Sequence, residues 1–303
     1  RSNFMTYNKS KILFIGTVEF SYKALSTLIE NKFEIVGVLS KKESNFNSDY
    51  YDLTPLAEEN NIPIIYRTKD NKDEIISFIK SLNPDIIYCF GWSHILTKSI
   101  LSIPKYGVIG FHPAELPNNR GRHPIIWALF LGLKQTASTF FIMDEGADTG
   151  DIISQEKIKI IDDNAFTLYN KIINVALKQI VSFTIELETK EVFLNKIKQD
   201  KTQGNSWRKR TKQDGKIDFR MTSNAILNLV NALSSPYVGA HIEFQNQDVK
   251  IWNVRDEKSN LSNFEPGKVL EIIGNDIIVK TYDGSIRILD HEFKITPTKG
   301  EYL

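Results

Sequence analysis

The stretch VIGFHPAELPNNRG, residues 108–121, decides how this chain is read. It opens with an apolar, strand-like run that ends on His112 and passes at once into a turn-rich loop. Toward the N-terminus the same kind of run recurs as KILFIG (11–16), EIVGVL (34–39), IPIIY (62–66) and DIIYCF (85–90). Helical patterns separate these runs, one of them placing Ile75, Ile76 and Ile79 on a single face. Strands alternating with helices predict a mostly parallel α/β sheet. Ligands of such sheets gather outside the carboxyl ends of the strands, where His112 stands. Toward the C-terminus, ADTGD (147–151) supplies an acid, Asp148, and a long helix is expected over about 166–186. A neutral imidazole can accept a proton near neutral pH, and a carboxylate behind it can fix its tautomer and steady the imidazolium. Taken alone, the pair reads more simply as a strand-end histidine and a helix-capping aspartate.

Beyond about Thr202 the pattern changes. KTQGNSWRKRTKQDGK (201–216) is polar and basic, as a linker or exposed loop is. A helix over 224–233 follows, then the short strands AHIEF, VKIWNV, KVLEI, IIVKT and SIRIL, punctuated by Pro266-Gly267, Gly274-Asn275 and Asp283-Gly284. Short strands with turn residues between them predict a small β-barrel.

The 303 residues carry 38 basic and 37 acidic side chains, a net charge of +1 that gives no global pull toward nucleic acid. Cys89, the single cysteine, lies in an apolar run and reads as a core residue, so no disulfide or cysteine-rich metal site is expected. No apolar run reaches the roughly 20 residues of a membrane span, and there is no secretory pattern. The expectation is a cytoplasmic protein without membrane contact or metal, with the residues ahead of Met5 outside the fold.

The segments HPAELPNNRG and DTGD, at this separation and behind a Rossmann-like region, resemble the formyltetrahydrofolate-dependent formyltransferases. That family includes tRNA, ribonucleotide and nucleotide-sugar formyltransferases. WRKRTKQDGKIDFRM (207–221) and LSSPYVGAHI (233–242) resemble the linker and C-terminal domain of the tRNA and sugar members. The resemblance implies a formyltransferase domain over 5–205 and an OB-like domain over 206–303, with 10-formyltetrahydrofolate as the formyl donor. It implies His112 and Asp148 as the catalytic pair. It also implies that backbone groups of Phe90, Gly91, Trp92, Ser93 and His94, and of Asp144, Gly146 and Ala147, hold the pterin, whose edge is rich in donors and acceptors. Gly16 matches the family's first strand-to-helix turn; no GxGxxG fingerprint is present, so a nicotinamide cofactor is not expected.

One position departs from the family. Its pattern has an asparagine two residues before the histidine, where the side-chain amide meets the formyl oxygen, and this chain has Gly110. Losing one such donor typically costs about 3 kcal/mol in a transition state. Asn118, Asn119, His123 or a backbone amide are the substitutes open to it.

For the acceptor, Arg120, Arg122, Arg208 and Arg210 are candidate phosphate contacts, since guanidinium forks bind phosphate oxygens bidentately. The tRNA enzymes carry a basic, glycine-rich insertion after the second strand. The corresponding stretch here, 40–59, has two lysines against five acids, with Phe46, Tyr50 and Tyr51 as candidate packing surfaces for a sugar or base. Because phosphate neutralisation dominates nucleic-acid binding, the expectation is a formyltransferase acting on a nucleotide-activated amino sugar rather than on nucleic acid. Methionyl-tRNA formyltransferase is the alternative, and a weakly catalytic folate- or sugar-nucleotide-binding protein a further one. Relatives of this type are often homodimers; sequence identifies neither the sugar nor the base.

Overall fold

The computed structural model describes residues 8–43, 48–193 and 195–303. The first strands and helices follow the predicted alternation: β1 (Lys11–Ile15), α1 (Glu19–Glu30), β2 (Glu34–Ser40), α2 (Thr54–Glu59), β3 (Ile64–Tyr66), α3 (Lys72–Leu82), β4 (Ile86–Cys89), α4 (Lys98–Leu101) and β5 (Val108–His112). The middle of the chain adds β6 (Arg120–Gly121), α5 (Pro124–Phe130), β7 (Gln135–Ile142), β8 (Ile152–Lys159) and α6 (Ala165–Lys190). After them come β9 (Ser206–Trp207), a 3-10 turn at Lys212–Gly215, α7 (Ser223–Leu233), and β10 (Ala240–Phe244), β11 (Gln247–Glu257), β12 (Val269–Ile273), β13 (Asp276–Lys280) and β14 (Ser285–His291).

The seven-stranded sheet runs in the order β3-β2-β1-β4-β5-β7-β8. Its pairs from β3 to β5 are parallel, and β7 adds antiparallel to β5. The chain builds outward from β1 in one direction, then returns to lay β4 on its other side, so the switch point lies between β1 and β4. A crevice opens at the carboxyl ends of strands there. Burial dictates the strand composition: Ile12, Leu13, Phe14, Ile15, Ile86, Ile87 and Tyr88 are wholly buried, as expected of a sheet covered on both faces. Phe90 stacks at 5.2 Å on Tyr88 and meets Phe140 edge-on at 5.2 Å, joining the parallel strands to β7. Cys89 is buried, which pushes its thiol up to about 12 and leaves it protonated and inert.

The five C-terminal strands form one antiparallel sheet, ordered β10-β11-β14-β13-β12, as the OB-like expectation requires. Ile226, Leu229, Val230 and Leu233 of α7 are buried with Ile251, Val254, Ile277, Val279, Ile286 and Ile288. Thr222 caps α7, its hydroxyl accepting from the Ala225 amide at 3.1 Å.

Two compact units emerge: one of residues 1–121, 137–158 and 171–206, the other of 122–136, 159–170 and 207–303. In this division segments 122–136 and 159–170, read from sequence with the N-terminal domain, group with the second unit. The reason is apolar: α5 buries Ile125, Ile126, Trp127 and Leu129 and packs on α7. Among the described residues no helix is long and apolar enough to cross a membrane.

Candidate active site

His112 closes β5 and is only 4% exposed. Its Nε2 lies 2.6 Å from the Asn119 carbonyl. A carbonyl can only accept, so Nε2 carries the hydrogen and Nδ1 is the basic nitrogen of the neutral ring. Nδ1 stands 3.6 Å from Asp148 Oδ2, too long for a hydrogen bond and right for an ion pair once Nδ1 is protonated. The tautomer is thus set by the Asn119 backbone rather than by the carboxylate, and Asp148 faces the nitrogen that would receive a proton. Asn119 itself is left-handed (φ 62°), with its amide donating to the Asn205 side chain at 2.8 Å.

Asp148 is also left-handed (φ 58°), a conformation aspartate tolerates better than most residues. Its Oδ2 accepts from the Gly121 amide at 3.0 Å. Its carbonyl accepts from Gln199 Nε2 at 3.0 Å, and the same nitrogen reaches the Gly150 carbonyl at 2.6 Å. Gly150 permits this loop: a Cβ there would lie 1.6 Å from the Ile142 carbonyl oxygen. Gln199 stands in a polar stretch that carries no motif, and sequence reasoning missed it.

Arg120 was expected at a substrate phosphate. It is buried, and its guanidinium donates to Gln199 Oε1 at 3.0 Å and to the carbonyls of Gln203 and Asp200 at 2.9 and 3.3 Å. It therefore holds the glutamine that holds the Asp148 loop. Asp144 braces the other end of that loop, accepting from Gly146 N at 2.9 Å and Thr149 Oγ1 at 2.6 Å, with Lys201 Nζ at 2.9 Å. Burial alone would raise its pKa; the bonds from Thr149, Lys201 and Gly146 outweigh it and hold the carboxyl below the ordinary range. Gly146 and Ala147 are exposed.

The 90–94 loop leaves β4 at the switch point. Gly91 is left-handed (φ 75°), and a Cβ there would lie 2.3 Å from Val18 Cγ2, so only glycine fits the turn. Trp92, His94, Ile95, Leu96 and Thr97 form one wall of a cavity of about 190 Å³; Leu39, Arg67, Thr68, Lys69, Lys72, Ile75 and Ile100 form the rest. Trp92 Nε1 and Thr97 Oγ1 are buried there without a hydrogen-bond partner among the described residues. Ser93 is exposed.

The remaining candidates lie in the C-terminal unit. Arg208 forms a two-pronged pair with Asp214, its NH1 2.8 Å from Oδ2 and its NH2 2.5 Å from Oδ1. Arg210 lies over the Trp127 ring at 4.5 Å and donates to the Asp214 carbonyl. Both are thereby tied into their own segment, while Arg122 is exposed. His123, at the N-cap of α5, has its Nε2 buried without a hydrogen-bond partner among the described residues. Burial, then Arg122, Arg210 and Lys209, push its pKa down to about 4, so it is neutral at physiological pH.

Tyr50 and Tyr51, expected as packing surfaces for a ligand, anchor their own loop. The Tyr50 hydroxyl lies 2.9 and 2.6 Å from the carbonyls of Lys41 and Lys42, and Tyr51 packs on Tyr22 at 4.5 Å. Phe46 lies outside the described residues.

Gly110 sits in mid-strand, where a Cβ would lie 2.9 Å from both Phe141 Cζ and Met143 Cγ. The space of a side chain at this position is filled by those two residues. Gly110→Asn is expected to overpack the site, lowering stability by about 1–3 kcal/mol without raising turnover. Chemical denaturation with parallel turnover measurement checks this; a rise of several orders of magnitude would mean a natural enzyme weakened by the lost amide. Asn118→Ala, Asn119→Ala and His123→Ala, measured alongside, test for a replacement donor.

Two family models match: formyl transferase over residues 10–184, and the formyl transferase C-terminal domain over 209–298. The chain belongs to the formyl transferase family. Among similar sequences is a methionyl-tRNA formyltransferase of Clostridium acetobutylicum, 33% identical and covering 97% of this chain and 96% of its own. The one from Caldanaerobacter subterraneus is 31% identical over 92% of this chain and 91% of its own. Among solved structures, HypX from Aquifex aeolicus matches 94% of this chain with a TM-score of 0.68 at 18% identity, the match spanning 46% of HypX. An N-formyltransferase of Helicobacter canadensis, in complex with folinic acid and dTDP-3-aminofucose, matches 93% of this chain and 99% of its own, with a TM-score of 0.70 at 20% identity. These structures share the fold. The names of the sequence relatives overturn the nucleotide amino sugar expected as acceptor. That expectation rested on the charge of one loop, whose described tyrosines serve the loop itself.

Proposed function

We propose that this protein transfers the formyl group of 10-formyltetrahydrofolate to the amino group of methionyl-tRNA. The observation that carries the acceptor is the near-full-length similarity to enzymes named for that reaction. The donor fits the residues present: a cavity beside the 90–94 loop holds the unpartnered Trp92 Nε1–H, which seeks an acceptor, and the Thr97 hydroxyl, which can give or take a hydrogen bond. Bound there, 10-formyltetrahydrofolate supplies a formyl carbonyl as the electrophile. Phe90 to His94, and Asp144, Gly146 and Ala147, offer the backbone groups to hold it.

His112 is the general base in this reading. Nδ1 takes a proton from the attacking amine, while the Asn119 carbonyl keeps Nε2–H in place. The charge then sits 3.6 Å from Asp148, whose own position is fixed by Gly121, Gln199 and Gly150. Arg120 acts through Gln199 as a positioning residue. Arg122 remains open to an acceptor phosphate.

Incubation with 10-formyltetrahydrofolate and charged initiator methionyl-tRNA should yield formylmethionyl-tRNA, read after mild hydrolysis as formylmethionine. If no product forms under conditions in which a sequence relative works, the acceptor assignment is wrong.

A further inference from the structure

Residues 199–205 run as a strap past both catalytic loops, and its two ends meet different members of the pair. At one end Gln199 holds the carbonyls of Asp148 and Gly150. At the other stands Asn205. Two consecutive amides of the histidine's loop donate to this one residue: Asn119 N to its side-chain Oδ1 at 2.8 Å, and Arg120 N to its carbonyl at 3.0 Å. Gly204 lets the strap come so near, since its backbone is left-handed (φ 82°) and a Cβ there would lie 2.0 Å from the Pro117 carbonyl oxygen.

Asn119 is the link to the chemistry. Its carbonyl lies 2.6 Å from His112 Nε2 and accepts the ring's hydrogen, which leaves Nδ1 to face Asp148. It presents this carbonyl from a left-handed backbone (φ 62°), a conformation that persists in a residue other than glycine where the surroundings enforce it. Asn205 is exposed, so its side chain covers no core, and water could satisfy the Asn119 amide in its place. What water cannot supply is a fixed direction.

Resting on the general-base role proposed above for His112, we infer that Asn205 is a positioning residue of the reaction. Its side chain fixes the turn at Asn119, and through the Asn119 carbonyl it keeps the imidazole in the one tautomer whose Nδ1 can take the amine's proton. The strap thereby sets base and acid against each other, Gln199 holding the loop of the carboxylate and Asn205 the loop of the ring.

Asn205→Ala removes the side-chain acceptor and keeps the carbonyl that holds Arg120 N. In protein labelled with nitrogen-15 in its five histidines, at a pH where the ring is neutral, unaltered His112 should carry its hydrogen on Nε2 alone. The variant should show a mixture of tautomers, the His112 signals being assigned by their loss in His112→Ala. Its kcat for formyl transfer should fall about tenfold, because a ring turned or protonated wrongly for part of the time is a poorer acceptor. The donor KM and the urea midpoint should stay nearly unchanged. Asn205→Asp still offers an oxygen to the Asn119 amide and should restore the single tautomer and most of the rate. The inference requires tautomer and kcat to move together: a ring indifferent to Asn205→Ala, a slower reaction with the tautomer unmoved, or a mixed tautomer at full rate each overturns it. The tautomer is read on the protein alone and is independent of the acceptor. Near-normal turnover in His112→Ala would remove the base role and the role of Asn205 with it. A loss of about a hundredfold there, beside an Asn205→Ala variant unaltered in rate and tautomer, would overturn the positioning role alone.

Discussion

His112→Ala should lower formyl transfer at least a hundredfold, which corresponds to about 2.7 kcal/mol of lost transition-state stabilisation. In the proposed role, where the ring receives a proton rather than holding the donor, the loss should fall on kcat. Binding of tetrahydrofolate by calorimetry should persist. Asp148→Asn should be nearly as damaging for a separate reason: the Gly121 amide keeps its acceptor, but the charge facing Nδ1 is gone. A neutral amide there cannot steady an imidazolium. If either purified variant turned over methionyl-tRNA at a near-normal rate, the base and its partner would have been wrongly assigned.

Arg120→Ala should lose about 3 kcal/mol of folding stability, since Gln199 Oε1 and the carbonyls of Asp200 and Gln203 lose a buried charged donor together. Turnover should fall with it, because Gln199 is then free to release the carbonyls of Asp148 and Gly150. Arg120→Lys should recover little, as one ammonium cannot span three acceptors set by a fork. Urea denaturation gives the stability and steady-state kinetics the rest. A variant with unchanged stability and only a raised KM for the acceptor would restore Arg120 to the phosphate contact that its residue type first suggested.

That reversal shows where the sequence was legible. The parallel strands could be read because each is a short apolar run bounded by turns, and their burial in the sheet demands that composition. The long helix could be read from its period, and the observed α6 extends the expected span by a turn at its C-terminal end. Strands β7 and β8 were missed: QTASTFFI opens on small polar residues, and IISQEKIK turns polar after two residues. Helix α5 was missed because PIIWALF is buried on nearly every side and shows no amphipathic period. In the site, the histidine and aspartate were accessible through residue type and motif. Gln199 was not, because its role comes from a contact with Arg120 made 79 residues away along the chain. Asn119 was considered for its side chain, whereas its carbonyl is what orients the imidazole.

The interleaving of the two compact units bears on how this protein can be cut and recombined. A fragment stopped at residue 205 would keep α5 and lose α7, the helix that covers it, leaving Ile125, Ile126 and Leu129 facing water. Such a fragment would tend to aggregate, whatever the soundness of its parallel sheet. Equally, a C-terminal segment grafted from a relative at the 205/206 join would arrive without the pieces 122–136 and 159–170 of its unit, the first of which carries the helix packed on α7. Lineages that exchanged this module would have had to adapt those two inner segments in step with it, so the seam between donor and recipient crosses the gene at five points rather than one.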